Sequence, residues 1–184
     1  AWSIRNMGTV GGNVFAPPPS GDVAVALLAL DAKVKLVASG GERVLPLTEF
    51  YTGYMTNALR PDELLTEFQV PLPVGKTVYL KYGRKQANTP SIVTVAGHVG
   101  LVGNRVSEVA IALNAVGPHP FRAKKCEATL TGASLNDEVI AAAAAAAAEE
   151  SEPVTDAIAS EQYRRRMVEV FVRRALGNLM EQED

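Results

Sequence analysis

The chain has 184 residues, enough for one domain or two small ones with a buried core. Hydrophobic residues make up 47% and charged residues 21%, which fits a globular protein, and the net charge of −2 gives no electrostatic footprint for nucleic acid. No apolar run reaches the length of a membrane span, and the single cysteine, Cys126, excludes an internal disulfide and a four-thiolate iron–sulfur cluster on this chain.

The first predicted element is a loop. Between Ile4 and Asn13 lie Gly8, Gly11 and Gly12, with a hydroxyl at Thr9 and a carboxamide at Asn13. Glycine lets the backbone approach a ligand closely, and successive N–H groups can form an anion-binding nest. A helix starting nearby would add its positive end. The segment reads as a loop shaped around phosphate, such as the pyrophosphate of a nucleotide cofactor, with a tight structural turn as the alternative. It is not a Rossmann fingerprint, because the G-x-G-x-x-G spacing is absent.

A stiff connector with three prolines, Ala16–Gly21, follows. Asp22 or Ser20 is placed to cap an apolar helix from Val23 to Leu30. Val34 and Leu36, then Val44 and Leu45, flank Ser39-Gly40-Gly41 and predict a hairpin. A short turn or helix at Thr48–Tyr51 leads to a strand at Leu64–Val70. Pro71–Gly75 breaks the pattern and divides the chain into residues 1–73 and 74–184.

The second part opens with a strand at Thr77–Gly83. Strands at Ile92–Val102 and Arg105–Val116 join around Gly103-Asn104. Helices are then expected at Lys124–Leu130, Asn136–Ala148 and Ser160–Met180. In the last of these, Met167, Val168, Phe171, Val172, Ala175, Leu176 and Leu179 share one apolar face. Strands first and helices second predict an α+β fold, with helices on one face of a small antiparallel sheet. His98 and His119 lack a metal-ligand partner at suitable spacing and read as structural. Arg164–Arg166, Arg173 and Arg174 read as a solvated helix face or a docking surface, and Cys126 as a packing residue.

Arg5-Asn6-Met7-Gly8-Thr9-Val10-Gly11-Gly12-Asn13 resembles the second flavin-binding motif of the FAD-binding (medium) subunits of molybdenum hydroxylases. That family includes the carbon monoxide dehydrogenase medium subunit and the xanthine dehydrogenase flavin domain. Further blocks resemble it in the same order: Phe50-Tyr51-Thr52-Gly53, Pro61-Asp62-Glu63-Leu64-Leu65, Tyr79-Leu80-Lys81-Tyr82-Gly83-Arg84-Lys85, Gly117-Pro118-His119-Pro120-Phe121-Arg122 and Tyr163-Arg164-Arg165. The resemblance covers nearly the whole chain. It implies the C-terminal part of a PCMH-type FAD-binding domain, followed by a domain like the CO dehydrogenase flavoprotein C-terminal domain, here a small antiparallel sheet packed with a helical bundle. It also implies another FAD motif upstream, so the chain is expected to be a fragment, a truncated product or half of a split subunit.

The resemblance carries over the following roles. Thr9, Val10, Gly11, Gly12 and Asn13 would hold the FAD diphosphate. Asp22 would meet the adenosine part, with a helix N-cap as the alternative. Leu65 would lie against the flavin ring, or pack within a strand. Lys81 would sit at the isoalloxazine, where a positive charge stabilises reduced flavin, or be a solvated strand lysine; Tyr79 shares its face. No residue is expected to act as a catalytic base. Molybdopterin is expected on a large partner subunit and [2Fe-2S] clusters on a small one, with NAD or a quinone as acceptor. The implied location is cytoplasmic, or peripheral at the inner membrane through the complex. The rival readings are a flavin-free docking module of such a complex and a free-standing nucleotide-binding protein.

Overall fold

The computed structural model describes residues 2–73, 75–86 and 89–181, so Val74, at the expected division, lies outside the described residues. The N-terminal part opens with three helices, α1 (Trp2–Met7), α2 (Val10–Val14) and α3 (Asp22–Ala29). Strands β1 (Lys33–Ala38) and β2 (Gly41–Pro46) form the expected hairpin, and a 3-10 turn follows at Leu47–Glu49. A short hairpin of β3 (Tyr51–Gly53) and β4 (Thr56–Asn57) leads to β5 (Leu64–Gln69), which pairs with β1 to complete a sheet of order β2-β1-β5. A register shift between Lys35 and Leu36 brings Leu65 opposite Leu36 and Phe68 opposite Val34. That irregularity lets two residues three apart on β5 pack against one core.

The C-terminal part contains β6 (Lys76–Gly83), β7 (Ser91–Val102), β8 (Arg105–Asn114) and β9 (Phe121–Arg122), in that order across one antiparallel sheet. Three helices follow: α4 (Lys124–Leu130), α5 (Asp137–Glu150) and α6 (Glu161–Glu181). Gly103 has φ +60, and it takes the hairpin through the turn expected between β7 and β8. Asn136 caps α5 by accepting from the Val139 N–H at 2.9 Å, and the Ser160 hydroxyl accepts from the Tyr163 N–H at 3.2 Å.

Alternation along the strands gives this sheet two different faces. Val93, Val95, Val99, Ile111 and Leu113 face α4, α5 and α6, where Ala143, Ala144 and Ala147 allow close packing. On the other face, Ala96 and Ala112 join Ala24, Val25 and Leu28 of α3 in the second core. The expected one-sided α+β layer therefore carries helices on one face and the N-terminal part on the other.

The structure corrects several local expectations. The glycine segment is a one-turn helix, because the Thr9 hydroxyl accepts from the Gly12 N–H at 3.0 Å and caps α2. Neither Asp22 nor Ser20 caps α3: Gly21, at φ +86, occupies the N-cap position and Asp22 lies in the first turn. A side-chain cap needs extended backbone at that position, and Gly21 supplies a left-handed one instead. Arg164 is not on a solvated face. It is 1% exposed, on the same side of α6 as Val168, Phe171 and Ala175.

Candidate functional site

A cleft of about 690 Å³ opens where the two parts meet. Arg5, Asn13, Gly21, Asp22, Lys81 and Gln86 lie among its walls, with exposed Trp2 and Ile4 at one side. The described helix starts and strands place each of these groups for a physical reason.

The floor of the cleft is built on the start of α3. Asn13 Oδ1 accepts from the Val23 N–H at 2.7 Å and ties the glycine segment to this turn. The missing α3 cap is thus supplied from ten residues upstream. Asp22 Oδ2 pairs with Lys81 Nζ at 2.5 Å across the cleft, and Ser91 Oγ donates to Asp22 Oδ1 at 3.4 Å. Tyr79, on the same face of β6 as Lys81, sends its hydroxyl to the Asp22 carbonyl at 3.4 Å. Burial of the phenol, reinforced by the Asp22 carboxylate, holds Tyr79 protonated well beyond its ordinary range.

Two glycines of the segment differ in what the fold asks of them. A Cβ on Gly8 would come within 2.7 Å of the Ile4 carbonyl oxygen, so Gly8 serves the close return of the chain after α1. A Cβ on Gly11 would meet no protein atom within 4 Å. The fold places no demand on Gly11, and the space a side chain would fill there is open to a ligand. The N–H groups of Val10 and Gly11 enter the first turn of α2, where helix geometry provides no internal acceptor. Thr9 uses a lone pair on Gly12, which leaves its hydroxyl proton free to donate.

The expected site residues therefore divide. Asn13, Asp22 and Lys81 line one cleft, with Thr9, Val10, Gly11 and Gly12 forming the turn that carries Asn13. Leu65 is not in the cleft wall. It is partly buried and packs in the second core, while its neighbour Leu64 is 72% exposed. Lys81 is not a free cation either, since Asp22 balances its charge. Sequence reasoning gave no role to Ser91, which heads the family-like block Ser91-Ile92-Val93, or to Thr94 and Asn114; each is a polar residue inside an apolar run.

Other polar clusters have structural duties. Arg43 donates to both Glu63 carboxylate oxygens, at 2.7 and 2.8 Å, and holds that carboxyl down at about 2. Arg122 bridges the two parts through Asp31 and Glu127. Burial, then the Glu150 and Glu127 carboxylates, push the Cys126 thiol up to about 12, in keeping with a packing role. Among the described residues no cluster of His, Cys, Asp or Glu could hold a metal ion, and no helix is long and apolar enough to cross a membrane.

Residues 1–73 match the FAD binding domain in molybdopterin dehydrogenase, and residues 78–179 match the CO dehydrogenase flavoprotein C-terminal domain. The chain belongs to the FAD-binding medium subunits of the molybdenum hydroxylase family.

Relatives in this family share the arrangement along nearly all of this chain. It is 34% identical over 173 residues to the glyceraldehyde dehydrogenase medium chain of Sulfolobus acidocaldarius, covering 94% of this chain and 61% of the relative. It is 30% identical over 175 residues to the carbon monoxide dehydrogenase medium chain of Afipia carboxidovorans, covering 94% and 60%. The solved carbon monoxide dehydrogenase of Hydrogenophaga pseudoflava superposes with a TM-score of 0.91 at 31% identity, covering 97% of this chain and 62% of that one. The chain thus spans about three-fifths of the length of the relatives it matches.

Proposed function

We propose that this chain forms the FAD-holding and electron-transfer part of an oxidoreductase subunit in a molybdenum hydroxylase complex. The observation that carries this reading is the shared cleft, in which Asn13 at the end of the glycine turn, Asp22 and Lys81 converge on the start of α3. The residues fit a diphosphate-bearing flavin. The Val10 and Gly11 N–H groups and the Thr9 hydroxyl offer donors, Arg5 offers a cation, and the space beside Gly11 admits close approach. Asp22, paired with Lys81, would share its place at the polar edge of the isoalloxazine and not at the adenosine end.

Bound FAD would supply exchange between one-electron and two-electron carriers. The chain's own part is to hold the cofactor, set the charge around it and limit water access. Electrons would arrive from [2Fe-2S] clusters on a small partner subunit, with substrate oxidised at molybdopterin on a large one. They would leave to an external acceptor such as NAD or a quinone. The division near residues 73 and 74 would separate the flavin-binding segment from the sheet and helices that buttress it.

The test is flavin binding by the purified chain, alone and fused to the region preceding the matched segment in a relative. Stoichiometric flavin absorbance in the fusion is expected. A folded fusion that stays colourless in saturating FAD would contradict the reading and favour the flavin-free docking module.

A further inference from the structure

Lys81, Thr94 and Asn114 stand opposite one another across β6, β7 and β8. They form a polar row on the sheet face that packs against α3, next to the apolar row containing Ala96 and Ala112. Lys81 and Asn114 reach one short segment directly, and Thr94 reaches it through Ser91. Asn114 Nδ2 donates to the Ser20 carbonyl at 2.8 Å and to the Gly21 carbonyl at 3.4 Å. Thr94 Oγ1 donates to Ser91 Oγ at 2.9 Å, which leaves the Ser91 proton for Asp22 Oδ1. Lys81 takes the other carboxylate oxygen.

Ser91, Thr94 and Asn114 are each 0% exposed, and none is a wall of the cleft. A buried hydroxyl or carboxamide in an apolar sheet is costly unless bonded, and aliphatic residues would fill the same space. Here the Asn114 amide N–H groups and the Ser91 hydroxyl are spent on the Ser20–Asp22 turn, Thr94 backs Ser91, and the Asn114 carbonyl accepts from the Ala115 N–H at 2.7 Å. The same turn receives the glycine segment through Asn13 and Val23.

We propose that Ser91, Thr94 and Asn114 are positioning residues of the flavin site. They fix the Ser20–Asp22 turn, and so set the separation between the glycine turn and the Lys81 ammonium. Ser91, backed by Thr94, also shares the charge of the Asp22 carboxylate. Without that donor, more unshielded negative charge lies beside the flavin, and the flavin becomes harder to reduce. This assignment rests on the cleft being the FAD site.

The experiment compares the flavin-loaded wild type with Ser91→Ala, Thr94→Val and Thr94→Ser. The readouts are FAD dissociation constant, flavin midpoint potential and melting temperature. A fourth readout is the rate at which a succinimidyl ester labels Lys81 in the ligand-free chain, followed by mass spectrometry. Loss of one hydrogen bond predicts about three- to tenfold weaker FAD binding for Ser91→Ala and Thr94→Val, with a lower midpoint potential. Thr94→Ser restores the hydroxyl and is expected to recover both values. Unchanged affinity and potential in a wild type that binds FAD would overturn the inference, as would a lower melting temperature with no other change. If the wild type binds no FAD, the functional reading fails and Lys81 labelling decides. A changed labelling rate in Ser91→Ala sustains the positioning role, and an unchanged rate overturns it.

Discussion

The two parts of the molecule use their polar residues in opposite ways. In the C-terminal part, Arg164 is buried beneath α6 and bonds inward to the carbonyls of Ser91, Ile92 and Ala115 and to the Asp156 carboxylate. In the N-terminal part, Arg5, Thr9 and the first N–H groups of α2 stay at the surface, with apolar Trp2, Ile4, Met7 and Val10 exposed around them. The C-terminal sheet and helices close their own core, whereas the N-terminal part completes its core on Ala96 and Ala112 of its neighbour. A rigid layer is thus joined to a surface whose donors remain available, as a positioned binding site requires.

The largest expected effect breaks the rigid side of this comparison. Arg164→Leu takes the guanidinium from three carbonyls and from Asp156, which keeps the Ile158 and Ala159 N–H donors, and should cost about 3 kcal/mol in urea unfolding. A loss no greater than that of an exposed arginine such as Arg173→Leu would refute this account of α6. On the N-terminal side, Asn13→Ala removes the bond to Val23 and should cost about 1 kcal/mol of stability. FAD affinity should fall with it, because the glycine turn is no longer tied to α3.

A smaller effect appears as pH dependence. The Glu63 carboxyl sits at about 2 in the folded chain against an ordinary 4.5, chiefly through its bonds from Arg43. A depressed folded value gives stability that is present above 4.5 and lost as pH falls toward 2. Arg43→Met should flatten the acid limb of the stability profile; an unaltered slope would argue against this pair. The least change is expected at Cys126. Its thiol stays protonated and buried, so a thiol reagent at pH 8 should label it only in denaturant.

Much of this was legible in the sequence. The Ser39–Gly41 and Gly103–Asn104 turns and the apolar face of α6 followed from local chemistry and periodicity. Lys81 and Tyr79 were correctly placed on one strand face. Other features depend on partners distant in sequence. Arg164 reads as surface because nothing nearby announces the carbonyls that receive it, the nearest of which is 49 residues away. The α3 cap was assigned to Ser20 or Asp22 by proximity, yet Asn13 reaches it across ten residues once the three-proline connector has turned the chain back. The two readings of Leu65, ring contact or strand packing, could not be told apart, since a β-bulge rather than simple alternation sets what faces the core.

The measurement that tests the central claim most directly is an FAD titration of Gly11→Val against wild type, with melting temperature recorded in parallel. A Cβ at Gly11 meets no protein atom within 4 Å, so branching at that carbon starts in open space and not against the fold. The account predicts an unaltered ligand-free melting temperature and at least about tenfold weaker FAD binding, because the added methyl groups would occupy the space beside the Val10 and Gly11 donors. Equal affinity in the two proteins would contradict the claim that the diphosphate is held at this turn.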